Sequence, residues 1–246
     1  FNKQKKIDEA ILTLKEAVRM LEKVGNKHGI GWTANMLGNI NLVIGNYSEA
    51  IKLYTYVLGI QTNDPAINAS AHFGMGESYY FNDKLKKAEP ILRDYLKNYP
   101  LDVNAMKLLG DIGVKFRAYK DAGYLFSRAL DLSPEYDEAR LSYANLLYKR
   151  QLPFQALEQI QILLDKDKDN AQYLTLKAVN LALANQHNEA LKIFEIIIDD
   201  KKIKNNQLHL SYGHTLRAVG NLEKAITSYK NAISTKTGFG EAYWSL

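Results

Sequence analysis

The chain has 246 residues, of which 46% are hydrophobic, so it can bury a substantial core and disorder is not expected. The 32 Lys and Arg residues and the 27 Asp and Glu residues leave a formal net charge of +5, which is spread along the chain and indicates no class of partner. The absence of cysteine excludes disulfides, thiolate metal sites and thiol nucleophiles.

The pattern of apolar residues predicts an all-α protein. The chain has only five prolines, and stretches such as KEAVRMLEKV (15–24) and NEALKIFEIII (188–198) have the helical period. Apolar runs such as IFEIII (193–198) are far shorter than the roughly 20 residues of a membrane span. The basic KQKK (3–6) precedes an amphipathic pattern rather than the apolar core of a signal peptide. We therefore expect no membrane span and a cytoplasmic location, and we interpret both ends as truncated.

Small residues recur along the chain at a period near 34. Seven alanines, most of them preceded by Glu, Asp or Lys, follow one another at spacings of 40, 38, 34, 34, 34 and 35. They are Ala10, Ala50, Ala88, Ala122, Ala156, Ala190 and Ala225. Twelve residues before each of the last six there is again a glycine or alanine, namely Gly38, Gly76, Gly110, Ala144, Ala178 and Gly213. Two small residues per unit indicate a pair of antiparallel helices that approach closely at these positions.

Other positions of the unit fit the same helix pair. We number each unit so that the first small residue is position 8 and the alanine is position 20. Large apolar side chains at position 24 are expected to fill the seam between the two helices. They are Tyr54, Leu92, Phe126, Ile160, Phe194 and Tyr229. The turn near position 15 holds residues that tolerate a left-handed backbone, which are Gly45, Asp83, Asn185 and Gly220. Pro100 and Pro134, at position 32, end the second helix.

These residues resemble the tetratricopeptide repeat (TPR), a helix-turn-helix unit of 34 residues with small residues at positions 8 and 20. The resemblance implies one α-solenoid domain over 1–246, a right-handed superhelix with repeats at 31–64, 69–102, 103–136, 137–170, 171–204 and 206–239. Residues 5–24 and 240–246 are expected to form half repeats. The extra residues 26–31 and 65–68 are expected to form looser connections.

No set of residues in this sequence predicts catalysis. The glycines of GMGES (74–78) fall inside a first helix, and no Gly-Lys-Ser/Thr follows them. The five histidines lie in different units or too far apart to form a metal site, and no Ser-His-acid set has the required context. We expect these 246 residues to be noncatalytic, with no cofactor and no metal.

The family resemblance implies a binding groove lined by the first helices, at positions 2, 5, 9, 12 and 13. The predicted groove residues are Asn35, Asn39, Phe73, Glu77, Tyr80, Lys107, Asp111, Lys115, Asn145, Tyr148, Lys149, His214 and Arg217. Their aromatic, amide and charged groups suit a peptide, a protein segment or a downstream domain of the same chain. Nucleic acid is not expected, because positions that repeat proteins use to read RNA hold apolar residues such as Leu42 and Val114.

The last two units, in residues 208–246, show a narrower resemblance. They are similar to the final repeats of bacterial TPR proteins that continue into a sulfotransferase domain, through residues Ser211, Tyr212, Gly213, His214, Leu216, Arg217, Val219, Gly220, Ala225, Ile226, Tyr229, Ala232 and 239–246. This implies a parent chain that uses phosphoadenosine phosphosulfate as sulfuryl donor. No donor-binding loop occurs in these residues. The alternative is a stand-alone TPR adaptor for secretion, envelope or complex assembly.

The C-terminal half repeat has its own predicted consequence. A first helix without its second helix would leave Tyr243 and Trp244 more exposed than their counterparts upstream. This apolar end could pair with a second copy of the chain, and the sequence therefore predicts a homodimer formed through it.

Overall fold

The computed structural model describes residues 2–200, 205–235 and 245, and within these the chain is helical without a strand. The α-helices are α1 (Asn2–Lys23), α2 (Lys27–Val43), α3 (Tyr47–Ile60), α4 (Pro65–Phe81), α5 (Leu85–Asn98), α6 (Val103–Lys115), α7 (Tyr119–Leu132), α8 (Asp137–Lys149), α9 (Pro153–Lys166), α10 (Ala171–Leu183), α11 (His187–Glu195), α12 (Asn206–Ala218) and α13 (Leu222–Thr235). A π-helical turn, Ile196–Asp200, follows α11. The prediction of an all-α TPR fold is confirmed.

Side-chain caps define where α2, α4, α6, α10 and α12 begin. Asn26, Asp64, Asp102, Asn170 and Asn205 each accept hydrogen bonds from backbone N–H groups two or three residues later. Such a cap satisfies donors that have no partner inside the helix.

The prediction of looser connections at 26–31 and 65–68 is wrong. Residues 27–31 and 65–68 belong to α2 and α4, which have 17 residues each, whereas α6, α8, α10 and α12 have 13. The inserted residues lengthen these helices by about one turn.

The turn between paired helices has a left-handed backbone. Gly45, Asp83, Asn185 and Gly220 have φ values of 83°, 55°, 62° and 83°, as their residue types predict. Arg117 and Gln151, at the same position of their units, have φ values of 60° and 57°. These two side chains do not favour that conformation, so the packing of the two helices imposes it.

The chain forms two compact units, Phe1–Leu132 and Ser133–Leu246. In unit 1, consecutive helices pack as antiparallel pairs, and the first helices α2, α4 and α6 also contact one another in sequence. In unit 2, α8, α10 and α12 are first helices in the same sense, and α9, α11 and α13 pack beside them. Each unit therefore presents a face built from three neighbouring first helices.

Aromatic or leucine side chains at position 24 explain the recurring glycines. A Cβ atom built on Gly38, Gly110 or Gly213 would lie 2.5–2.7 Å from a ring carbon of Tyr54, Phe126 or Tyr229, and one on Gly76 would lie 2.7 Å from Leu92 Cδ2. These four side chains are at most 1% exposed. The small residue at position 8 thus leaves space for a side chain of the second helix.

Some predictions are not tested by these helices. The half repeat at 240–246, with Tyr243 and Trp244, lies outside the described residues except for Ser245. The repeat boundaries and the single domain over 1–246 stay predictions. Over the described ranges, every helix is too short or too polar to traverse a bilayer.

Candidate functional site

A groove in unit 2 lies across the first helices α8, α10 and α12. Its cavity has a volume of about 530 Å³ and is lined by Leu141, Asn145, Tyr148, Ala171, Gln172, Thr175, Leu176, Val179, Asn205, Gln207 and Ser211. We call these eleven residues the unit 2 groove. Asn145 and Tyr148 were predicted as groove residues, and the structure brings them together here.

The unit 2 groove has an apolar wall and several amides. Asn145 donates from Nδ2 to the carbonyl oxygen of Leu141 at 2.9 Å, and Asn205 uses its Oδ1 to cap α12. The side-chain amides of Gln172 and Gln207 make no hydrogen bond within the described part of the chain. These amides can pair with the backbone of a ligand, which offers one donor and one acceptor per residue.

A second cavity of about 220 Å³ adjoins the unit 2 groove. It shares Tyr148, Val179 and Ser211 with the groove and is also lined by His187 and His214. The Nδ1 atom of His214 lies 3.1 Å from the hydroxyl oxygen of Tyr229, so a second helix orients this imidazole. Predicted residues Lys149 and Arg217 are exposed on α8 and α12, but neither lines these cavities.

In unit 1, the predicted asparagines are tied to neighbouring side chains. Asn35 is buried and donates from Nδ2 to the hydroxyl oxygen of Ser70 at 2.8 Å, which links α2 to α4. Asn39 is exposed and accepts a hydrogen bond from the Tyr54 hydroxyl at 2.7 Å. Both asparagines therefore help to hold the face of unit 1 in place.

An ion pair lies on α6, another first helix of unit 1. Lys107 Nζ is 2.9 Å from Asp111 Oδ2, and the two side chains are only 21% and 17% exposed. The Tyr80 hydroxyl of α4 donates to the same oxygen at 3.2 Å. Burial, reinforced by the charge of Asp111, raises the pKa of Tyr80. Lys115, which was predicted with this group, is exposed at the end of α6.

Glu77 is the half-buried carboxylate of unit 1 that has no ion pair or hydrogen bond among the described residues. Burial and the charge of Asp102 raise the pKa of Glu77, and Lys107 opposes this shift. Phe73, one turn earlier on α4, is half-buried against Tyr95, with ring centroids 5.4 Å apart. Phe73 is therefore largely a packing residue, whereas Glu77 is available to a ligand.

Position 2 of the repeats supplies groove residues that the prediction did not name. Gln172 and Gln207 occupy this position in unit 2 and line the groove. In unit 1 it holds Ser70, which bonds Asn35, and Trp32, which is 55% exposed. The signal was present in the sequence, because position 2 belongs to the groove-lining positions of the repeat. In the described part of the chain, no three His, Asp or Glu side chains are grouped as metal ligands.

Family models match most of the C-terminal two thirds of the chain. The model described as the cytochrome c-type biogenesis protein H TPR domain matches residues 82–207, just over half of the chain. A tetratricopeptide repeat model matches residues 207–237. The predicted resemblance to TPR repeats is confirmed.

One curated relative is the human protein O-mannosyl-transferase TMTC3, which is 24% identical over 174 residues. The match covers 60% of this chain, and the chain spans only 18% of the length of that protein.

Solved structures show the same fold at low sequence identity. PilF of Pseudomonas aeruginosa has a TM-score of 0.70 at 16% identity, and the match covers 89% of this chain and 97% of PilF. YrrB, described as a TPR protein with an unusual peptide-binding site, has a TM-score of 0.62 at 19% identity, covering 78% of this chain and 96% of YrrB. MamA from Desulfovibrio magneticus RS-1 has a TM-score of 0.62 at 13% identity, and the match covers 70% of this chain and 96% of MamA.

Proposed function

The chain belongs to the tetratricopeptide repeat family of the cytochrome c-type biogenesis protein H TPR domain, and we propose that it is a noncatalytic scaffold that binds an extended polypeptide segment. The segment comes from another protein or from a further domain of the same chain. Its binding site is the face formed by the first helices of each unit.

The unit 2 groove is the observation that carries this proposal. It combines leucine and valine side chains with the amides of Gln172 and Gln207, which make no hydrogen bond to the described residues. An extended peptide needs both features, since its side chains bury apolar area while its backbone pairs with donors and acceptors. YrrB, which is similar in fold, is described as having a peptide-binding site, and this supports the proposal.

Selection of peptides from a library tests the proposal. A phage-displayed library of random dodecapeptides is selected on the chain, and the affinities of the selected peptides are measured by isothermal titration calorimetry. Val179→Arg places a long charged side chain in the unit 2 groove, and we expect it to weaken binding at least tenfold. Ile162→Arg makes a similar change at a 40% exposed residue of α9, outside the groove, and serves as the control.

Two results would contradict the proposal. One is a library from which no peptide is enriched over the uncoated support. The other is a set of selected peptides that bind Val179→Arg and the unaltered chain equally. Circular dichroism at 222 nm establishes that both variants retain their helices.

We further propose that these repeats are the N-terminal part of a longer sulfotransferase-like chain, with the stand-alone adaptor as the alternative. The resemblance in residues 208–246 supports the first. However, several of the residues that carry it, including Leu216, Ala225, Tyr229 and Ala232, are buried between α12 and α13 and have a packing role there. The homodimer and the cytoplasmic location likewise stay predictions.

The gene distinguishes these two proposals. A reading frame that continues past Leu246 into a donor-binding loop supports the sulfotransferase, and a stop codon within one more helix supports the adaptor. Titration of this chain with the sulfate donor is expected to give no heat, and a micromolar signal would contradict the assignment of these residues as noncatalytic.

A further inference from the structure

We propose that the unit 2 groove selects an extended polypeptide segment of about six residues that carries no charged side chain. This rests on the proposed function and adds to it the chemistry of the partner. Three neighbouring first helices, with axes about 8–10 Å apart, span about 16–20 Å. An extended chain covers that distance with five or six residues at about 3.3–3.6 Å each.

The lining of the groove offers no partner for a charge. Of its eleven described lining residues, none is Asp, Glu, Lys, Arg or His. A ligand carboxylate or ammonium group placed there would lose water without gaining a counter-ion, which is strongly unfavourable. Amides and hydroxyl groups from Asn145, Gln172 and Ser211 can instead pair with uncharged peptide groups.

The neutrality of this groove is not a general property of the fold. In unit 1, the positions equivalent to Asn145 and Val179 hold Glu77 and Asp111, and the ion pair with Lys107 lies on the same face. The same helical frame therefore accommodates either charged or neutral side chains at position 9. In unit 2, position 9 holds the neutral residues Asn145 in α8 and Val179 in α10.

The apolar wall indicates the side chains that fit. Leu141, Leu176 and Val179 line the groove, so alternate residues of an extended segment can place small or branched apolar side chains against them. The intervening residues face outward. A segment of this kind combines residues such as Ala, Val, Leu, Ser and Thr.

Capped hexapeptide pools test the inference on the full chain. One pool randomises Ala, Val, Leu, Ser and Thr, and two further pools have the same composition with Lys or Glu fixed at the third position. Fluorescence polarisation measures the binding of each pool. We expect the neutral pool to bind and each charged pool to bind at least tenfold more weakly. Val179→Arg should weaken the neutral pool, and Ile162→Arg should leave it unchanged.

A charge introduced into the groove gives a second readout. Gln172 is exposed on α10 and lines the groove, so Gln172→Glu should increase binding of the lysine pool at least threefold without disturbing the fold. Equal or stronger binding of a charged pool to the unaltered chain, lost in Val179→Arg, would overturn the inference while the proposed function stands. If no pool binds, the inference is overturned, and the dodecapeptide selection decides separately whether the groove binds peptides.

Discussion

Replacement of Gly110 by alanine tests why glycine recurs at position 8. The added Cβ would lie 2.5, 2.8 and 2.9 Å from three ring carbons of Phe126, a side chain with no exposed surface. Carbon atoms prefer separations of about 3.5–4.0 Å, so the ring or the helix has to move by about 1 Å. We therefore expect Gly110→Ala to destabilise the α6–α7 pair.

The magnitude follows from two opposing effects. Overpacking of a buried site costs about 1–3 kcal/mol, and three short contacts with one rigid ring place this site in the upper half of that range. Alanine is favoured over glycine inside a helix by about 1 kcal/mol. The expected net destabilisation is about 1–2 kcal/mol.

The assay must report on α6 and α7, because stacked repeats need not unfold as one unit. Hydrogen exchange followed by mass spectrometry gives the opening free energy of peptides from these helices. The double variant with Phe126→Leu removes the ring and should recover most of the strain. Gly59→Ala in α3 is the control, since its added Cβ would contact nothing within 4 Å and should stabilise the helix slightly.

Accommodation of the added methyl group of Gly110→Ala without strain would refute this reasoning. Ala178 and Phe194 lie in one buried cluster of unit 2, so a pair of helices can be built with alanine at position 8. If Gly110→Ala slows exchange in α6 as Gly59→Ala does in α3, the α6–α7 pair adapts in the same way, and contact with Phe126 does not explain the glycine.

Three further predictions concern caps and titrating groups. Asp102→Ala should cost about 1 kcal/mol or more by thermal unfolding, because it removes the cap of α6 and the hydrogen bond from the Tyr95 hydroxyl, and an unchanged midpoint would contradict this. Burial and the charge of Asp102 raise the pKa of Glu77, so ionisation of Glu77 destabilises the fold as the pH rises through that pKa. Glu77→Gln should therefore raise the melting temperature at pH 7. A lower melting temperature would show that ionised Glu77 is stabilising. Burial lowers the pKa of His209, so the unfolded chain takes up a proton at this residue more readily than the folded chain as the pH falls. Stability should therefore fall from pH 7 to pH 5 less steeply in His209→Gln than in the unaltered chain, and equal slopes would contradict the assignment.

The residues predicted to line the groove in unit 2 differ in their surroundings. Asn145 and Tyr148, at positions 9 and 12, line the unit 2 groove, whereas Lys149, at position 13, and Arg217, at position 12, line neither cavity. Repeat position specifies the direction in which a side chain leaves its helix. It does not specify whether a long charged side chain turns towards the groove or towards water.

What the sequence determined by itself is the helix pair and its repetition. The period of small residues, the position 24 side chains and turn residues such as Gly45 are local signals, because each acts within one 34-residue unit. The tertiary structure decided which groups meet between successive repeats: Asn35 of α2 with Ser70 of α4, and Tyr80 of α4 with Asp111 of α6. These depend on the distances between side chains of successive helices, and those distances are set only when the helices pack.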